Sequence, residues 1–132
     1  MRILAIDWGE KNVGLAIGEV LANELTTVPN DTALVDVARI CKSEEVDKII
    51  IGYPLRSNGE NGTHNQRIDQ FIEELQKLCL NIVIEKIDEA FSSVEARKEL
   101  EGIGVKPEEI SKRIDQYAAK IILDDYLRSQ GK

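Results

Sequence analysis

Two short apolar runs, residues 3–6 and 13–17, bracket a polar turn of Gly9, Glu10, Lys11 and Asn12 at the start of the chain. This spacing predicts a β-hairpin whose first strand ends on the carboxylate of Asp7. The first run lacks polar alternation, as expected of a central strand covered on both faces. Residues 24–28 predict a third strand, reached through a turn at 20–23 and closed by Pro29, which cannot donate to a ladder. Asp31 or Thr32 then caps a helix. Leu34, Val37, Ala38 and Cys41 follow helical spacing along it, and it ends near Glu44.

A short buried strand is predicted at 46–51, running into Gly52, Tyr53, Pro54 and Leu55. Residues 56–62 are polar and glycine-rich and read as a loop. Thr63 with Gln66 is a capping box, opening a helix with Ile68, Phe71, Ile72, Leu75 and Leu78 on one face. Residues 82–87 predict the last strand, ending in Asp88 and Glu89. Ser92 with Glu95 is a second capping box, for a short helix reaching Leu100. Gly102, Gly104 and Pro107 mark a loop before a final helix over 108–127, whose apolar face holds Ile114, Tyr117, Ala118, Ile121 and Ile122. The element order is thus β-β-β-α-β-α-β-α-α. Three hairpin-joined strands come first, and two further strands arrive through right-handed crossovers parallel to the first strand. The fold class is α/β: a mixed five-stranded sheet flanked by helices, with residues 1–132 as one domain.

Composition supports a globular reading. The 132 residues are 42% hydrophobic and 31% charged, enough for one domain with a core. No apolar run approaches the ~20 residues of a membrane span, and the N-terminus shows no signal-peptide pattern. Cys41 and Cys79 are isolated, which predicts reduced, buried thiols in a cytoplasmic protein. The net charge of −7 argues against broad phosphate attraction. It leaves a nuclease open, because carboxylates gathered around a cation count as negative only in the apo chain. Lys11, Arg56, Arg67, Arg97, Lys98, Lys112 and Arg113 are candidates for a local basic patch.

The chemistry lies in acids at element ends. Asp7 ends the first strand, Asp88 and Glu89 end the last, and Asp115 sits in the early turns of the final helix. Parallel strands bring their C-terminal ends to one sheet edge, where ligand sites of open α/β sheets form. Ala118 and Ala119 would let the final helix approach the sheet and carry Asp115 there. Converging carboxylates stay ionised together only around a cation. Oxygen-only ligands select Mg²⁺ or Mn²⁺, and two such ions ~4 Å apart suit phosphodiester hydrolysis. Each acid also has a plain structural reading. Asp7 could cap its turn, Asp88 or Glu89 could cap a strand end, and Asp115 could be an exposed partner of Lys112 or Lys120. Ser92 and Ser93 could hold a phosphate at a helix N-terminus or only cap it. Arg56 and Arg67 flank the glycine-rich loop. Trp8 and Tyr53 are candidates for stacking on a base or for partial burial. His64, the lone histidine, excludes a multi-histidine zinc site.

The motifs Ile6-Asp7-Trp8-Gly9-Glu10-Lys11-Asn12-Val13-Gly14-Leu15-Ala16, Ile51-Gly52-Tyr53-Pro54-Leu55 with Asn58-Gly59, Asp88-Glu89, and Ile114-Asp115-Gln116-Tyr117-Ala118-Ala119 stand in an order that resembles the YqgF family. These are RuvX-like, Holliday-junction-resolvase-like proteins with a ribonuclease H-like fold. The resemblance covers nearly the whole chain. It implies a cytoplasmic bacterial nuclease using Mg²⁺ or Mn²⁺, two ions in the expected arrangement. The implied role is 5′-end maturation of 16S ribosomal RNA, on structured RNA or ribosomal precursor particles. An alternative by analogy with RuvC-type enzymes is cleavage of branched DNA. Asp7, Glu89 and Asp115 match the family's catalytic and metal-binding acids, with Asp88 in a supporting place. Lys11, Arg56, Arg67, Ser92 and Ser93 are the expected substrate contacts. The chain departs from the family pattern at Asn12 and Ala90, where arginine is usual, and at Ser92-Ser93, where a threonine pair is usual. A junction resolvase would act as a homodimer, whereas RNA end processing is open to a monomer. An ATP-binding domain and a non-catalytic RNA-binding module are the remaining alternatives.

Overall fold

The computed structural model describes residues 1–54, 62–88 and 92–130. Strands β1 (Ile3–Asp7), β2 (Asn12–Gly18), β3 (Ala22–Pro29), β4 (Lys48–Tyr53) and β5 (Val83–Asp88) form one sheet in the order β3-β2-β1-β4-β5. β1 pairs antiparallel with β2 and parallel with β4, and β5 extends the parallel half. The expected mixed sheet is therefore present, with β1 at its centre. The helices are α1 (Ala33–Ser43), α2 (Gly62–Leu78), α3 (Ser92–Gly102) and α4 (Pro107–Gln130).

The strand faces sort cleanly by alternation. Leu4, Ile6, Val13, Leu15, Ile49 and Ile51 face one layer, where Val37 and Cys41 of α1 and Ile68, Phe71 and Leu75 of α2 close the main core. Ile3, Ala5, Ala16 and Ile50 face the other layer, covered by Ala119, Ile122, Leu123 and Tyr126 of α4. α3 packs outside α4 through Ala96, Leu100, Ile110, Tyr117, Ala118 and Ile121. Ala119 thus serves the sheet, while Ala118 serves α3.

Several boundaries differ from the sequence expectation, each for a local reason. The fourth strand starts at Lys48 rather than at 46. Val46 N–H bonds the Cys41 carbonyl at 2.9 Å and Glu45 adopts φ 53°, so these residues close α1 in a Schellman-type turn. The same device ends α3, with Gly104 at φ 85° and Val105 N–H on the Leu100 carbonyl at 3.0 Å. Before α1 stands a 3₁₀ turn, Asn30–Thr32. Thr32 precedes α1 without a side-chain cap bond, because its hydroxyl donates to Asp36 at 2.7 Å. α2 begins at Gly62, so Thr63 lies inside the helix. Cys41 and Cys79 are free and buried, as expected. Burial, with the neighbouring Cys79 thiol, pushes the Cys41 thiol up to about 12, which keeps it protonated and unreactive. No helix among the described residues is long and apolar enough to cross a membrane.

Candidate active site

Asp7 ends the central strand on the α4 face, in alternation with Ile3 and Ala5. It is 7% exposed, the one charged residue buried among those described. Its cross-strand partner is Gly14. A β-carbon at Gly14 would lie 2.0 Å from the Asp115 carbonyl oxygen and 2.6 Å from the Gln116 amide nitrogen. The missing side chain therefore lets the α4 backbone rest directly on β2. That contact seats Asp115 over the residue paired with Asp7, at the C-terminal end of β1. From there α4 runs back along β1 to Tyr126, whose hydroxyl accepts a 2.7 Å bond from Lys48 at the start of β4.

A polar network fixes this docking from the β3 side. Arg113 donates to Glu24 through Nη2 at 2.8 Å and Nε at 3.3 Å. Gln116 donates to the same carboxylate at 3.1 Å and accepts from Thr27 Oγ1 at 3.1 Å. Burial opposes ionisation of Glu24, but the bonds from Arg113 and Gln116 hold its carboxyl below the usual value. Both residues flank Asp115, so the network sets the rotation of α4 about the acid. Arg113, a candidate for the basic patch, is instead committed to Glu24.

Asp115 is half-buried, and burial raises its carboxyl above the ordinary value. The partners considered for it are engaged elsewhere. Lys112 reaches Glu109 at 3.7 Å, and the Lys120 ammonium lies 4.8 Å from the centre of the Tyr117 ring. Asp88 sits in register with Tyr53. Alternation assigns it to the face of Lys86, which pairs with Asp69 of α2, away from the Asp7 face. Glu89, Ala90 and Arg56 lie outside the described residues, as do the side chains of Ser92 and Ser93, although Ser92 is the first residue of α3.

The turn between β1 and β2 is anchored from the 3₁₀ turn that follows β3. Asn30 donates its side-chain amide to the Gly9 carbonyl at 2.6 Å and its backbone N–H to the Lys11 carbonyl at 2.9 Å. A β-carbon at Gly9 would come within 2.6 Å of the Asn12 carbonyl, so glycine is required there. Lys11 and Asn12 are exposed at the site's edge, and Arg67 pairs with Glu10 at 2.8 Å. Trp8 points the other way, into the α1/α2 core, with its ring 5.3 Å from His64 in an edge-to-face contact.

The donor chemistry fits a hard cation. Asp7 and Asp115 supply oxygen ligands only, one buried and one half-buried. Carboxylate oxygens are the ligands that Mg²⁺ and Mn²⁺ prefer. No group of three potential ligands occurs among the described residues.

The family model RuvX, described as Holliday junction resolvase, matches residues 1–129. A Chloroflexus aggregans relative named "Putative pre-16S rRNA nuclease" is 40% identical over 131 residues, covering 95% of this chain and 92% of its own. A Roseiflexus relative with the same name is 37% identical over 135 residues, covering 98% and 95%. The fowlpox virus resolvase, solved with Holliday junction DNA, superposes over the full length of both chains with a TM-score of 0.61. At 18% identity this is a likeness of fold.

Proposed function

The chain belongs to the RuvX family, and from that premise we propose that it is a divalent-cation-dependent nuclease that hydrolyses phosphodiester bonds at the 5′ end of precursor 16S ribosomal RNA. The observation that carries this reading is the contact of the Asp115 backbone with Gly14, directly opposite Asp7. It supports a catalytic role for two acids 108 positions apart in sequence.

Asp7 and Asp115, together with Glu89, would hold Mg²⁺ or Mn²⁺. Two ions are the expected complement. Divalent cations held there would supply an activated water and charge stabilisation at the leaving oxygen. The protein's own part is positioning. β1 and β2 hold Asp7 rigidly in the sheet, and the Gly14 contact with the Glu24 network holds Asp115. Asp88, on the other face, takes no direct part in this reading. Lys11 at the exposed turn and the α3 N-terminus at Ser92 and Ser93 are the proposed phosphate contacts. Arg56 and Arg67 would join them from the segment before and within α2, Arg67 by exchanging Glu10 for phosphate. With Asn12 and Ala90 in place of arginines, phosphate grip is weaker than in the family pattern. The substrate is nucleic acid, structured RNA in a cytoplasmic ribosomal precursor. Cleavage of four-way DNA junctions is the second reading, favoured by the description of the matching family. It requires a homodimer to place two cuts.

The test is cleavage of a structured RNA carrying the 5′ precursor extension, with Mg²⁺ or Mn²⁺ present. Asp7→Asn is expected to lower the rate by on the order of 10³ or more, as for other groups that act as a catalytic unit. Unchanged divalent-dependent cleavage would refute the reading. A chain that dimerises and cuts junctions faster than this RNA would favour the second one.

A further inference from the structure

Of the cations proposed to meet phosphate, Arg67 is paired with Glu10 at 2.8 Å and Arg56 lies outside the described residues. Lys11, in the β1–β2 turn, is exposed and enters no ion pair among the described residues. Asn12 beside it is neutral, so the grip of this turn on phosphate falls to one ammonium group. A lysine on a loose turn would grip poorly. The turn would have to be ordered during binding, and that conformational cost is subtracted from affinity. A turn ordered by the fold in advance avoids the loss.

The structure supplies that order through one residue. Pro29 stands in register with Asn12 at the end of the β2–β3 ladder. Asn30 follows it and reaches the turn twice. Its side-chain amide donates to the Gly9 carbonyl at 2.6 Å, and its backbone N–H donates to the Lys11 carbonyl at 2.9 Å. The first bond fixes the start of the turn and the second fixes its end, directly at Lys11. An asparagine at a helix start usually turns its side chain onto its own backbone. Asn30 opens the 3₁₀ turn, yet neither this turn nor α1 has a side-chain cap bond. Its amide is spent on the β1–β2 turn instead. Asp7 ends β1 two residues before Gly9, so the same bonds fix Lys11 relative to the candidate catalytic acid. We propose that Asn30 is a positioning residue for substrate binding, which touches no RNA itself and holds Lys11 where a backbone phosphate next to the scissile bond arrives. This rests on the nuclease reading above and adds to it the residue that sets its phosphate grip.

The experiment measures binding of the structured RNA with its 5′ precursor extension to the full-length protein, without divalent cation, over a series of salt concentrations. Asn30→Ala and the near-isosteric Asn30→Leu both remove the side-chain donor and keep the backbone N–H. Each is expected to weaken binding roughly threefold to tenfold, the scale of ordering a short segment on binding. Lys11→Ala should weaken binding comparably and lower the slope of log affinity against log salt by about 0.7–0.9, the signature of one lost phosphate contact. The Asn30 variants should show the same drop in slope, although asparagine carries no charge. A purely structural role would not move that slope. In the double variant Asn30→Ala with Lys11→Ala, binding should be no weaker than in Lys11→Ala alone, because both changes remove one contact. Wild-type affinity in the Asn30 variants, an unchanged salt slope, or losses that multiply in the double variant would overturn the proposal. Failure of both Asn30 variants to fold would assign the residue to stability and overturn it as well. No cleavage is read, so failure here is separate from failure of the catalytic reading, which shows only in the cleavage assay.

Discussion

The two faces of the same sheet are built on opposite principles. Toward α1 and α2, β1, β2 and β4 present Leu4, Ile6, Leu15, Ile49 and Ile51, large side chains with no exposed surface. Toward α4 they present Ile3 and Ile50 but also Ala5, Gly14 and Ala16, with Asp7 at the end of β1. The first face holds its helices away with side-chain volume, and that volume contributes most of the buried apolar area. The second draws its helix in until backbone meets backbone at Gly14. It gives up burial for proximity and tolerates a buried acid. The lesson is a division of labour. Stability comes mainly from one layer, so the other is free to hold carboxylates that a stable core would exclude.

Mutations on the two faces should separate accordingly. The largest effect on stability belongs to the α1/α2 face. Leu15→Ala is expected to lower unfolding free energy by about 2–5 kcal/mol in urea titration, with cleavage per folded molecule preserved. Gly14→Ala, one position away, reverses the pattern. Its methyl would meet the Asp115 carbonyl and displace α4, at a cost of about 1–3 kcal/mol. Cleavage should fall roughly a hundredfold or more, as small misplacements of catalytic groups do. If Gly14→Ala cleaved normally, or Leu15→Ala lost activity while folded, the contrast between the faces would not hold.

The smallest effect has the opposite sign. Burial raises the Asp115 carboxyl, so the folded chain binds that proton more tightly than the unfolded chain. Stability from this group is therefore present at low pH, falls as pH rises through the raised folded value, and stays lost above it. Asp115→Asn removes the penalty. Without divalent cation, the variant should melt above the wild type at pH 7, and the gain should vanish below the ordinary aspartate value of 3.8. The same substitution should abolish cleavage. A variant less stable than wild type at pH 7 would mean that the Asp115 carboxylate supports the fold.

Element order, the parallel half of the sheet and the acids at element ends were legible because apolar runs and turn residues report on local structure. Asp7 and Asp115 could be singled out in the same way, and the family motif links them. The role of Gly14 could not be read. Its neighbours form an ordinary apolar strand, and the reason for glycine is a helix 101 positions later. Glu24, Arg113 and Gln116 were hidden for the same reason, since their bonds span 89 to 92 positions and match no local pattern. Asn30 read as a strand terminator, yet it ties down the turn that carries Gly9 and Lys11. Trp8 was legible as an aromatic beside an acid, but alternation alone decides that it serves the opposite face. The start of β4 was misplaced by two residues because Glu45 takes a left-handed conformation without being glycine.

The central claim is that α4, seated on Gly14, brings Asp115 to Asp7 so that the two acids hold a divalent cation together. The most direct measurement is anomalous diffraction from crystals soaked in Mn²⁺. A manganese peak is expected, bonded to carboxylate oxygens of both Asp7 and Asp115 at distances typical of hard-cation coordination, and lost in Asp7→Asn crystals. Manganese bound only elsewhere, or an Asp7 and Asp115 site that stays without manganese at saturating concentration, would contradict it.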